Sequence, residues 1–175
     1  MIIMISILRL GHRIKRDARI STHCGLVARA FGANEIIFSG EEDEKLIEGL
    51  KKVAKRWGGP FKISYEKNWR RIIRLYRKKR FSICHLTMYG LPIHREIKKL
   101  RKKRNLLLII GGEKVPGEVY TIADVNIAVT NQPHSEVAAL VIFLHEYFKG
   151  KELKKKFGKA RLRIIPQAKG KKVKE

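Results

Sequence analysis

The chain has 175 residues, enough for one core in which about 70% of the unfolded surface leaves water, and an apolar fraction of 44% excludes a disordered tail or linker. Lysine and arginine number 40 against 16 acidic residues, a formal charge of +24 and a pI near 10.4, which points to a polyanionic partner, a nucleic acid above all. No apolar run approaches the roughly 20 residues that cross a bilayer, no signal-peptide cleavage pattern follows the first apolar run, and Cys24 and Cys84 lack CxxC spacing, so a soluble, cytoplasmic protein without disulfides or metal is expected.

Residues 2–10 are apolar and Ile-rich, a first strand that ends at Gly11. A basic entry then turns helical, with Leu26, Val27, Ala30 and Phe31 on one face and Gly32 closing it. Residues 35–38 form a second strand. The helix expected over residues 42–57 opens on acidic residues and carries Leu46, Ile47, Leu50, Val53, Ala54 and Trp57 as a core stripe before Gly58, Gly59 and Pro60 stop it. Residues 61–65 are a third strand. Trp69, Ile72, Ile73 and Tyr76 give the next helix its buried face, opposite Arg70, Arg71, Arg74, Arg77 and Lys78. A fourth strand at 81–86 leads through Thr87–Gly90 to Pro92, near the start of a helix bearing the basic residues of 98–104. Residues 106–110 and 124–129 are two further short strands, a helix spans about 135–148, and a short strand at 162–165 precedes a polar tail. Strands alternating with helices predict an α/β fold with a mostly parallel sheet flanked by helices, one domain over residues 1–150 and a basic extension over 151–175.

The stretch over residues 106–138 organises the rest. Two apolar strands end in irregular loops, one at Gly111 and Gly112, the other at Thr130, Asn131, Gln132 and Pro133, and ligands of parallel α/β sheets bind outside such carboxyl ends. There is no GxGxxG after a strand, no GxxxxGK[ST], no HExxH and no nucleophile elbow. The six histidines, His12, His23, His85, His94, His134 and His145, lack metal-ligand spacing.

LLLIIGGEKVP and NIAVTNQPHSEVAAL resemble the second and third motifs of the SPOUT superfamily of RNA methyltransferases, and THCGLVARAFGA resembles the first. Together with HRIKRDARI they are most similar to the archaeal tRNA cytidine-56 2′-O-methyltransferase family, over most of the chain. The resemblance implies a deep trefoil knot within residues 81–150, a homodimer, and S-adenosylmethionine held by loops at 86–90, 110–115 and 127–135. Its cofactor-binding residues map onto Leu86, Gly111, Gly112, Glu113, Lys114, Val115, Val129, Thr130, Asn131, Gln132, Pro133, His134, Ser135 and Glu136. Backbone groups at Gly111, Gly112 and Val129 suit the edge of a flat adenine, since small residues let main chain approach closely.

The resemblance also places the catalytic arginine at Arg29, contributed by the same chain or by the partner of the homodimer. A guanidinium is effectively always protonated, so its expected role is to bind a flanking phosphate and stabilise oxyanion charge, with proton loss assisted elsewhere. Asn131 and Ser135, and after them His134, are the candidates for substrate contact, and Ser135 equally fits a helix N-cap. Leu140, Leu144 and Phe148 suit either a dimer surface or the core. From Lys67 to Arg104 the basic residues face a single acid, Glu96, and the tail is also basic, a pattern suited to tRNA phosphates. The expected activity is methylation of the ribose 2′-hydroxyl of cytidine 56 in the tRNA T-loop. The alternatives are another tRNA or rRNA nucleotide, or an RNA-binding protein without catalysis.

Overall fold

A computed structural model describes residues 3–112 and 114–175. The elements in chain order are β1 (Met4–His12), α1 (Ile14–Ala30), β2 (Glu35–Gly40), α2 (Glu44–Trp57), β3 (Lys62–Tyr65), α3 (Trp69–Lys78), β4 (Ser82–Pro92), α4 (Ile93–Leu100), β5 (Asn105–Gly111), α5 (Gly117–Ile122), β6 (Val125–Ala128), α6 (Glu136–Phe148), β7 (Arg163–Ile165) and β8 (Lys172–Lys174). The first six strands form one parallel sheet in the order β3-β2-β1-β5-β4-β6, and the last two pair as an antiparallel ribbon in the tail.

Strand β5 is apolar without alternation because both of its faces are covered. Leu106, Leu108 and Ile110 meet the core shared with α1, α2, α4 and α6, while Leu107 and Ile109 meet Ile72, Ile73 and Tyr76 of α3 and Val119 of α5. The parallel sheet flanked by helices is therefore as expected.

Several details differ from the sequence expectation. The buried face of α1 is Asp17, Ser21, Cys24, Gly25, Ala28 and Arg29, whereas Leu26 is 36% exposed and Ala30 is exposed. Small residues are used because α1 lies tightly on α2: a Cβ on Gly25 would overlap Leu50. Helix α5 and strand β8 carry patterns too short to read, and Ile2 lies outside the described residues. Leu140 and Leu144 are fully buried within the subunit, which assigns them to the core.

Strand β4 also runs past its expected end. Ile127 pairs with both Leu86 and Leu91, so residues 87–90 leave the ladder and return. Gly90 is required at the return, where a Cβ would collide with the Asn126–Ile127 backbone. This excursion builds one wall of the cleft described next.

Candidate active site

The carboxyl ends of β4, β5 and β6 open into a cleft of about 340 Å³, within the range of small-molecule sites. It is lined by Leu86, Thr87, Met88 and Tyr89 from the β4 excursion, Ile110, Gly111, Gly112 and Val115 after β5, and Pro133, His134, Ser135 and Glu136 before α6. Ile20, His85, Tyr120 and Ala139 complete it. Tyr89 is 73% exposed and leans towards Tyr120, with ring centroids 6.3 Å apart. The floor is polar and fixed: His85 Nδ1 lies 2.9 Å from Asn126 Oδ1, and Asn126 Nδ2 donates to the Tyr120 carbonyl at 2.8 Å.

Beneath the β5 loop sits a buried ion pair. Arg9 is 1% exposed and donates from Nε and one terminal nitrogen to Glu136 at 3.2 and 3.3 Å. Burial raises the Glu136 carboxyl above its ordinary range, and Arg9 opposes that shift. The pair ties the end of β1 to the first turn of α6. Glu136 also forms the wall opposite Gly112, where a Cβ would stand 3.4 Å from Glu136 Oε1.

Eight of the residues expected at the site therefore meet there: Leu86, Gly111, Gly112, Val115, Pro133, His134, Ser135 and Glu136. Ser135 is the N-cap of α6, its hydroxyl accepting from Ala138 N at 3.2 Å. Asn131 does not line the cleft. Its amide donates to the Met88 and Gly90 carbonyls at 2.7 and 3.1 Å and so pins the β4 excursion. Lys114, Val129, Thr130 and Gln132 lie off the lining, and Glu113 lies outside the described residues. Ile20, His85, Tyr120 and Ala139 carried no ligand signal in the sequence: three belong to elements whose pattern reads as structural, and α5, which carries Tyr120, is too short to read.

Arg29 is not among the residues brought together at this cleft. Helix α1 returns antiparallel to the strands over 17 residues, about 25 Å, so its last turn lies at the opposite edge of the sheet from the cleft. There Arg29, 9% exposed, donates to the Gly58 carbonyl at 3.1 and 2.6 Å and stacks 4.4 Å over the Phe157 ring. From that position it does not reach the cleft of its own subunit. His12, which contacts Ser21 Oγ at 2.8 Å and Asp43 at 3.3 Å, imitates a nucleophilic triad, but Ser21 is fully buried and the three groups tie β1 to α1 and α2. Both cysteines are buried, and burial pushes the Cys24 thiol up to about 12, so neither offers a thiolate. Among the described residues no cluster of three or more His, Cys, Asp or Glu could hold a metal, and no helix is long and apolar enough to cross a membrane.

The cleft fits an adenosine-like ligand. Gly112 leaves backbone approachable, Ile20, Leu86, Ile110 and Val115 supply apolar walls for a flat ring, and Glu136 supplies a carboxylate beside them.

A family model described as tRNA ribose 2′-O-methyltransferase, aTrm56, matches residues 57–174. The chain is 51% identical over 172 residues to the tRNA (cytidine(56)-2′-O)-methyltransferase of Methanothermobacter thermautotrophicus, covering 98% of this chain and 96% of that protein. It is 52% identical over 174 residues to the protein of the same name from Thermococcus kodakarensis, covering 97% and 96%. Among solved structures, the fold is similar to the SpoU methyltransferase AviRb from Streptomyces viridochromogenes in complex with AdoMet, with a TM-score of 0.65, 12% identity, and coverage of 86% of this chain and 59% of that one. A TrmH/SpoU tRNA modifying enzyme from A. aeolicus gives a TM-score of 0.62 at 17% identity, covering 86% and 76%.

Proposed function

This chain belongs to the tRNA ribose 2′-O-methyltransferase family, and we propose that it methylates the ribose 2′-hydroxyl of cytidine 56 in tRNA with S-adenosylmethionine as donor, as a soluble cytoplasmic homodimer. The observation that carries this reading is the convergence of residues 86–89, of 110–112 with Val115, and of 133–136 on one cleft at the carboxyl edge of the sheet. The donor when bound supplies an electrophilic methyl on a sulfonium. The chain's part is to hold it: Gly112 offers close main chain, the apolar walls exclude water, and the Glu136 carboxylate, held in place by Arg9, lines the same wall.

The knotted path belongs to the same reading. It is supported by the tight return at Gly90 and by Asn131, which donates to two carbonyls of the excursion. The homodimer is supported by α6, which carries apolar residues on its outer side as well: Ile142 is 43% exposed, with Ala138 and Val141 half-buried beside it. A monomer by light scattering would count against it.

Labelled methyl transfer to unmodified tRNA tests the reading. Incorporation that vanishes when cytidine 56 is replaced supports it. Incorporation mapped to another nucleotide moves the target, and none at all favours RNA binding without catalysis.

A further inference from the structure

The ribose hydroxyl must shed a proton as its oxygen is methylated, and Arg29 is buried at the far edge of the sheet. Among the described residues lining the cleft, the titratable side chains are His85, Tyr89, Tyr120, His134 and Glu136. Both carboxylate oxygens of Glu136 are engaged by Arg9, with Asp17 and Arg13 behind, so a proton there would disrupt a buried ion pair. His85 is 1% exposed, is held by Asn126, and has its pKa lowered by burial. The two tyrosines are phenols, which act as donors in neutral solution.

His134 differs on each count. It is exposed at the mouth of the cleft, and its Nδ1 lies 2.6 Å from the Gln132 carbonyl. A carbonyl only accepts, so Nδ1 carries the hydrogen and the neutral ring keeps its lone pair on Nε2. Among the described residues Nε2 has no hydrogen-bond partner. The segment carrying the ring is fixed on both sides, by the Asn131 amide before it and the Ser135 cap after it. An exposed imidazole with a backbone-set tautomer is a preorganised base.

We propose that His134 is the proton acceptor of the methyl transfer. The ribose O–H bond breaks and its proton passes to Nε2 as the oxygen–methyl bond forms; the methyl–sulfur bond of the sulfonium donor breaks with its electron pair left on sulfur. The imidazolium then returns its proton to solvent. This rests on the methyltransferase reading above.

The test uses His134→Ala and His134→Asn in the full chain. Asparagine retains an N–H for the Gln132 carbonyl but has no basic nitrogen, which separates loop support from proton transfer. Both variants are expected to lose about a hundredfold or more in single-turnover methylation of tRNA. They should also lose the acidic limb of the wild-type pH–rate profile, while the circular dichroism spectrum stays unchanged and calorimetric donor affinity falls far less than the rate. Added imidazole should restore part of the rate of His134→Ala. Near-wild-type rates, a persisting acidic limb, or loss of donor binding in both variants would overturn the assignment. A wild-type chain that binds donor and tRNA but transfers no methyl group would instead overturn the functional reading, and this assignment with it.

Discussion

Arg29 directs two hydrogen bonds to one carbonyl, that of Gly58, and covers the Phe157 ring with the same guanidinium. Lys155 reaches the Gly32 carbonyl beside it, so two cations clasp the start of the tail to the end of α1. The spacing GLVAR was visible in the sequence, but the direction of the side chain depends on how α1 is rolled, and Ser21, Cys24, Gly25 and Ala28 rather than Leu26 and Ala30 face the core. Replacing Arg29 with Met should therefore cost about 2–4 kcal/mol, because a buried charge-assisted pair of hydrogen bonds is lost and the Gly58 carbonyl is stranded. Denaturant unfolding should show the loss, limited proteolysis should cut the tail sooner, and donor affinity should hold. A variant of wild-type stability that binds donor but cannot methylate would return Arg29 to the chemistry.

Helix α1 begins with a clamp that shows how elements set the cleft. Its N-cap, Arg13, provides no side-chain cap; instead Asp17 accepts from the Arg13 backbone at 3.0 Å and its guanidinium at 2.8 and 3.1 Å, with Arg9 3.9 Å away. The Arg13 hydrogen bond holds the Asp17 carboxyl below its ordinary 3.8. A lowered folded value means stabilisation that is present above 3.8 and disappears as pH falls through that lower value. Asp17→Asn should lose about 1–2 kcal/mol at neutral pH, the lower end being favoured by Arg13's 36% exposure, and converge on wild type as acid protonates Asp17. A deficit that does not shrink as pH falls would mean that packing, not charge, is lost. Asn131→Ala should free the β4 excursion and weaken donor binding about tenfold, since two hydrogen bonds at about 1 kcal/mol each hold it; unchanged affinity would separate the excursion from the donor site. The order of these elements was legible because each strand is an apolar run and each long helix has a period. Asn131 was legible as a loop residue near a ligand, but its carbonyl partners on β4 lie more than forty residues earlier and only the fold reveals them.

Across the whole molecule, pairing decides which cations remain for RNA. The basic face of α3 and α4 looks unopposed along the chain, yet Arg70 meets Glu118, Arg77 meets Asp124 and Arg101 meets Glu146, acids from other elements that sequence spacing could not pair with them. The tail behaves differently. Arg161 N and Leu162 N bind the Arg56 carbonyl at 3.0 and 3.1 Å, laying the tail along the end of α2. A groove of about 450 Å³ opens between them, lined by Lys52, Lys55, Arg56, Arg161, Leu162 and Glu175. None of those four cationic side chains has an ion pair among the described residues, and the groove lies at the amino edge of the sheet, away from the cleft. Four converging charges far from the reacting atoms suit phosphate binding that adds affinity without touching chemistry. Changing Lys55, Arg56 and Arg161 together to Ala should flatten the slope of log affinity for tRNA against log salt by about 3, on the basis of roughly 0.9 per lost phosphate contact. It should raise KM and leave the single-turnover rate at saturation unchanged. An unaltered slope would place the RNA elsewhere on the surface, and a fall in the saturated rate would mean that the far edge of the sheet orients the substrate as well as holding it.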